Sequence, residues 1–242
     1  MADSEPIKLS PEALERAHKE VGQPPIRLSY DALRRANLEI RQRNFFTVEP
    51  LPFRQQYLGR EVQGTRVNSC TIASALLALA RIGKIRGRDI GGQLNALEEE
   101  LVRQAVQKGY FDRKTGDTGI SAIRDVFDAF GLANGYARTL NELRAALAAG
   151  GGGIIAYGGH ARFISEEEPN GSGRFKVFDP LKTHSELVPR SFLEQNLQHF
   201  SGTTNLIVVY PYGYRPDEAR GESFRAFGSS HPLVIDPERF LK

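Results

Sequence analysis

The hydrophobic pattern changes character at the glycine run Gly150–Gly153, and that change decides the fold class. Before the run, apolar residues recur at helical spacing. After it, short apolar runs are separated by turn residues, which is the pattern of strands. Helices first and an antiparallel sheet after them make an α+β arrangement. Cys70–Gly83 is apolar almost all round and reads as a helix buried on most faces. Arg88–Lys108 reads as an amphipathic helix ended by Gly109. A third helix starts at Asp117 or Thr118 and ends at Gly131. Thr139 with Glu142 forms the capping box of a fourth, which the glycine run ends. That run is no phosphate loop, because it lacks the following Lys-Ser/Thr and leads into a strand.

Gly153–Tyr157 and Ala161–Ser165 read as short strands. Pro169–Gly173 is a hairpin turn signal, and Arg174–Asp179 is the returning strand. On it Phe175, Val177 and Asp179 alternate against Lys176 and Phe178. Glu166, Glu167 and Glu168 read as the solvated edge of that hairpin. Ser191 with Glu194 caps another short helix, and Asn205–Tyr210 is a last buried strand.

The start of the chain holds a repeat. Pro6–Ser10 is echoed by Pro25–Ser29 at an offset of 19 residues, and the match continues through Leu14/Leu33 and Ala17/Ala36. Each copy places a capping Ser before a helix-forming stretch. The expected organisation is therefore a helical extension over 1–43, a connector over 44–62, a body over 63–210 and an irregular tail over 211–242. With 32 Lys+Arg interleaved among 29 Asp+Glu, there is no basic stripe, so nucleic-acid binding is not expected. No apolar run reaches the roughly 18 residues of a membrane span, and MADSEPIKLS lacks the pattern of a secretory signal. The expected location is cytoplasmic as synthesised, with export open only to a dedicated secretion system.

The chain has one cysteine, Cys70, so neither an intrachain disulfide nor a multi-cysteine zinc site can form. No cofactor or metal is expected; His18, His184, His199 and His231 show no ligand spacing. Cys70 follows a polar loop and opens a buried helix, where the positive end of the dipole favours a thiolate. His160 stands between two strands, after Gly158 and Gly159, which would let the backbone approach something in front of it closely. Asp179 ends the returning strand. If the two strands pair as a hairpin, His160 and Asp179 share its open end. A thiol, an imidazole and a carboxylate so placed follow the logic of nucleophile, base and orienting group. His184 is a second candidate base.

The order Cys70, the helix Gly119–Leu132, His160 in IIAYGGH and Asp179 in FKVFDP resembles the papain-like cysteine peptidases. The resemblance is to their compact bacterial branch, the leader-peptidase domains of bacteriocin exporters and related bacterial effector peptidases. It covers about Gln63–Tyr210. It implies a papain-like fold and a Cys70-His160-Asp179 triad that cleaves a protein or peptide. It also implies a side-chain donor to the oxyanion shortly before the nucleophile, here Gln63 or, failing that, Asn68. Gln63 lies one residue further from Cys70 than the family's glutamine does, and Thr71 stands where the family favours Gly or Trp. Two other readings use the same residues: a glutamine deamidase or transglutaminase-type acyl transfer, and a binding module that has lost its chemistry. The repeat over 1–43 is expected to dock a partner or the substrate.

Overall fold

The computed structural model describes residues 45–211 except 48, 84, 86–88, 170–172 and 202. The N-terminal repeat and the tail beyond 211 lie outside the described residues. Among the described residues a two-stranded hairpin, β1 (Leu58–Val62) and β2 (Thr65–Asn68), precedes the other elements. Helices α1 (Cys70–Arg81), α2 (Ile90–Gln107) and α3 (Ser121–Ala129) follow. Then come β3 (Asn134–Tyr136), α4 (Leu140–Ala148), β4 (Gly152–Tyr157), β5 (His160–Glu167), β6 (Arg174–Phe178) and β7 (Glu186–Pro189). The last elements are α5 (Arg190–Asn196), the short β8 (His199–Phe200) and β9 (Thr203–Thr204), and β10 (Leu206–Val209). The protein is α+β. Its main sheet is six-stranded, in the order β3-β10-β4-β5-β6-β7, with every neighbouring pair antiparallel.

Side chains alternate across this sheet, and both faces are covered. Ile154, Phe163, Phe178 and Ile207 face α1, which packs between the sheet and Leu97, Leu101 and Phe127 of α2 and α3. Ile155, Ile164, Val177 and Val208 face the other way, onto Leu143 of α4 and Leu193 of α5. Strands covered on both faces lose the in/out alternation of a half-solvated sheet. The expected contrast on β6 is therefore absent: Lys176 and Phe178 are buried along with Phe175 and Val177. The Lys176 ammonium is held by Glu49 at 2.6 Å. The three adjoining glutamates are not a solvated edge either. Each carboxylate meets an arginine: Glu166 with Arg81, Glu167 with Arg144 and Glu168 with Arg174.

The helix stops follow the glycines. Gly109, Gly131 and Gly150 take φ of 70°, 64° and 83°, in the left-handed region that lets the chain leave a helix. Thr139 accepts the Glu142 N–H as N-cap, while Glu142 reaches back to the N–H of Arg138, one residue beyond a standard capping box. α5 starts at Arg190, before Ser191, and has no side-chain cap. The segment EVQGTRVN contributes to the β1–β2 hairpin. Its two-residue turn, Gln63-Gly64, has φ of 49° and 76°, which matches the twist of the flanking strands. The described part of the segment before β1 packs on the body. Leu51 N–H donates to Thr183 O at 2.9 Å and Gln55 N–H to Pro180 O at 3.0 Å, with Phe45 and Phe53 buried.

Candidate active site

Cys70 is the first residue of α1, and helical geometry leaves the N–H groups of that first turn without carbonyl partners inside the helix. α1 is pinned to the sheet beneath it by Ser74, whose Oγ donates to Ala161 O at 3.0 Å. That contact seats the helix start against the β4–β5 turn, and the Cys70 sulfur lies 4.0 Å from Gly159 O. Only 3% of Cys70 is exposed.

The β4–β5 turn is Gly158-Gly159, closed by the Tyr157–His160 pair. Their φ values, 59° and 73°, are ones that two consecutive side-chain-bearing residues adopt only with strain. A Cβ on Gly158 would meet nothing within 4 Å. One on Gly159 would lie 3.5 Å from Asp117 Oδ2, an ordinary contact, so both glycines are required by the turn's backbone and not by a close approach. The turn makes His160 the first residue of β5, at the end of the sheet and beside the thiol.

His160 Nε2 meets Asp179 Oδ1 at 2.7 Å. The Cys70 sulfur is the second group that acts on the ring. Asp179 is itself fixed. Leu181 N–H donates to its Oδ1 at 2.9 Å and Arg162 Nε to its Oδ2 at 3.0 Å. Burial alone would hold the His160 ring below its ordinary value. The hydrogen bond and negative charge of Asp179, with the Cys70 sulfur adding to them, overcome that and raise it to about 9. Burial would likewise raise Asp179, but the His160 hydrogen bond, the Leu181 N–H and the two cations hold it down at about 2. At neutral pH the arrangement therefore carries an imidazolium between a carboxylate and a sulfur. Such a set can generate a thiolate, protonate a leaving group and then activate water.

The structure does not bring Gln63 to this place. It sits exposed at the tip of the β1–β2 hairpin, and the length of β2 separates it from Cys70. Asn68 is close in sequence, but its amide is committed. Nδ2 donates to Thr115 O at 2.8 Å and to Asp117 Oδ1 at 2.9 Å, while Oδ1 accepts the Gly59 N–H at 2.7 Å. It braces the loop that flanks the nucleophile. His184 is exposed and paired with Thr183 Oγ1, away from the thiol.

A different amide occupies the neighbourhood. Gln55 donates its N–H to Pro180 O, next to Asp179, and its Nε2 to Tyr57 O at 3.2 Å. The same Tyr57 carbonyl accepts the N–H of Ser69, the residue before Cys70, at 2.9 Å. Gln55 thus lies between the orienting carboxylate's loop and the nucleophile's approach, and its Oε1 is buried without a hydrogen-bond partner. Only the β1–β2 hairpin separates it from Cys70 along the chain, so counting back a fixed number of residues misses it.

No family model and no curated protein matches the chain. Among the described residues, no group of three or more His, Cys, Asp or Glu could hold a metal ion, and no helix is long and apolar enough to cross a membrane.

Proposed function

We propose that this protein is a cysteine peptidase of papain-like architecture, acting through Cys70, His160 and Asp179. The observation that carries the reading is the imidazole held by Asp179 at 2.7 Å, with the sole cysteine acting beside that carboxylate to raise the ring. The Cys70 thiolate attacks a substrate carbonyl carbon, and the carbonyl electrons move to oxygen. The Cys70 N–H at the helix start and the Gln55 amide stabilise that oxyanion. On collapse the C–N bond breaks, and the His160 imidazolium gives its proton to the leaving amine. A thioester remains. The now neutral His160 takes a proton from water, the hydroxide attacks the thioester, and the acid leaves with Cys70 restored.

The test is incubation of the intact protein with a peptide mixture, read by mass spectrometry, with Cys70→Ala in parallel. Peptidase action gives fragments whose masses add one water, and the variant gives none. A gain of about one dalton without fragments would instead identify side-chain amide hydrolysis by the same thioester chemistry. Neither product, with Cys70 unreactive, would leave a binding module.

A further inference from the structure

α2 buries Leu94, Leu97, Leu101, Val102 and Ala105, and in the same buried row stands Glu98, with 0% of its surface exposed. No ion pair holds it among the described residues. Its carboxyl accepts the Ser69 Oγ–H at 2.5 Å and the Gln56 N–H at 3.0 and 3.1 Å. Burial pushes it above its ordinary range. An apolar residue of the same length would avoid the desolvation cost of a buried acid, so packing alone gives no reason for a carboxyl here.

The two groups Glu98 holds border the reacting centre. Ser69 precedes the nucleophile, and its Oγ is turned to Glu98 instead of capping α1. Gln56 follows the amide assigned to the oxyanion. Between them the Tyr57 carbonyl accepts from both Ser69 N–H and Gln55 Nε2. Glu98 grips both sides of this junction, and the Ser69 Oγ also lies 3.2 Å from the Tyr57 carbonyl oxygen.

We propose that Glu98 is a positioning residue, fixing Gln55–Tyr57 against Ser69 so that the Gln55 amide is aimed at the oxyanion formed at Cys70. The proposal rests on the thiol-acylation reading above, and its test separates the two. Because Cys70 is the only cysteine, two reactions can be timed on one sulfur. Iodoacetamide alkylates it by displacement of iodide and forms no oxyanion. p-Nitrophenyl acetate acylates it through one: the C–S bond forms, the C–O bond breaks and p-nitrophenolate leaves with the electron pair.

Glu98→Leu should lower the acylation rate by about 10²-fold, the scale of a misaimed catalytic group, and leave alkylation within about threefold. Glu98→Gln should retain both rates. Its Oε1 accepts the Gln56 N–H, and its NH₂ donates to Ser69 Oγ, whose own proton turns to the Tyr57 carbonyl. Should the leucine variant not fold, Ser69→Ala removes one grip and should lower acylation by about tenfold with alkylation retained. Acylation unchanged in Glu98→Leu (or in Ser69→Ala where that variant stands in), both rates falling in parallel, or Gln performing no better than Leu would overturn the proposal alone. A wild-type Cys70 that reacts with both probes no faster than glutathione would remove the peptidase reading, and this proposal with it.

Discussion

Asp179→Asn tests the electrostatics of the site most directly. The substitution keeps the side chain's shape and removes its charge. In the intact protein His160 is lifted from 6.5 to about 9 against burial, which works in the opposite direction. Asp179 acts on the ring more strongly than Cys70 does. The carboxylate is therefore the main source of the lift, which acts against burial. Without it the ring should titrate well below about 9, each pH unit of the fall being a loss of about 1.36 kcal/mol. The same shift has a stability signature. A ring that titrates higher when folded stabilises the fold fully below 6.5 and loses that contribution as pH rises through about 9. A carboxylate that titrates lower contributes above 3.8 and loses its contribution as pH falls through about 2. The variant should thus be most destabilised between these ordinary values, and the deficit should fade on the alkaline side of about 9. NMR titration of the His160 ring, assigned with a His160→Gln variant, reads the first effect, and denaturant unfolding across pH reads the second. A ring that still titrates near 9 in Asp179→Asn would refute the reasoning.

Three further outcomes are expected. Cys70→Ala should remove peptidase activity by several orders of magnitude while leaving the denaturant midpoint within the range of ordinary single substitutions. Gln55→Ala should slow acylation of Cys70 by about 10²–10³-fold, whereas Gln63→Ala, at the hairpin tip, should change nothing measurable by the same p-nitrophenyl acetate assay. Gly151→Ala should cost about 1–3 kcal/mol in chemical denaturation, because its Cβ would fall on the carbonyl oxygen of Val209, a backbone atom that cannot rotate away.

The parts of the fold legible in the sequence are those fixed by local chemistry. The apolar run after Cys70 could only be a buried helix, and ten of its twelve residues are buried. Gly109, Gly131 and Gly150 mark helix stops because few other residues take the left-handed turn they make. What stayed hidden depends on partners far away in the chain. Lys176 reads as an outward residue until Glu49 and the ring of Phe45 cover it. Glu166, Glu167 and Glu168 read as solvated until arginines from α1, α4 and β6 reach them. Gln55 was out of sight for the same reason. The β1–β2 hairpin closes on itself, so residues on either side of it become neighbours while the interval in sequence suggests otherwise. The Gln63-Gly64 pair did carry a signal, since glycine at the second position of a two-residue turn favours a hairpin.

The meeting of His160 with Asp179 depends on one irregularity that no spacing rule contains. Along the hairpin's far half, Glu167 pairs with Phe175 and Glu166 with Lys176. Along its near half, Ile164 pairs with Val177 and Phe163 with Phe178. Ser165 is the extra residue, a β-bulge in β5. Continued by one residue, the near register sets Asp179 opposite Arg162, with His160 as the diagonal neighbour on the same face; such diagonal pairs lie within side-chain reach. Asp179 bonds both of them. Had the far register run on unbroken, Asp179 would stand opposite Phe163, on the face that packs against α1. A one-residue slip turns a strand's whole side-chain set over. The bulge therefore satisfies two demands that a regular hairpin would set against each other. Beyond it, Glu166 lies with Arg81 and Lys176 on the helix side. Before it, His160, Arg162 and Asp179 come together on the other face, at the sheet end where the thiol of Cys70 waits.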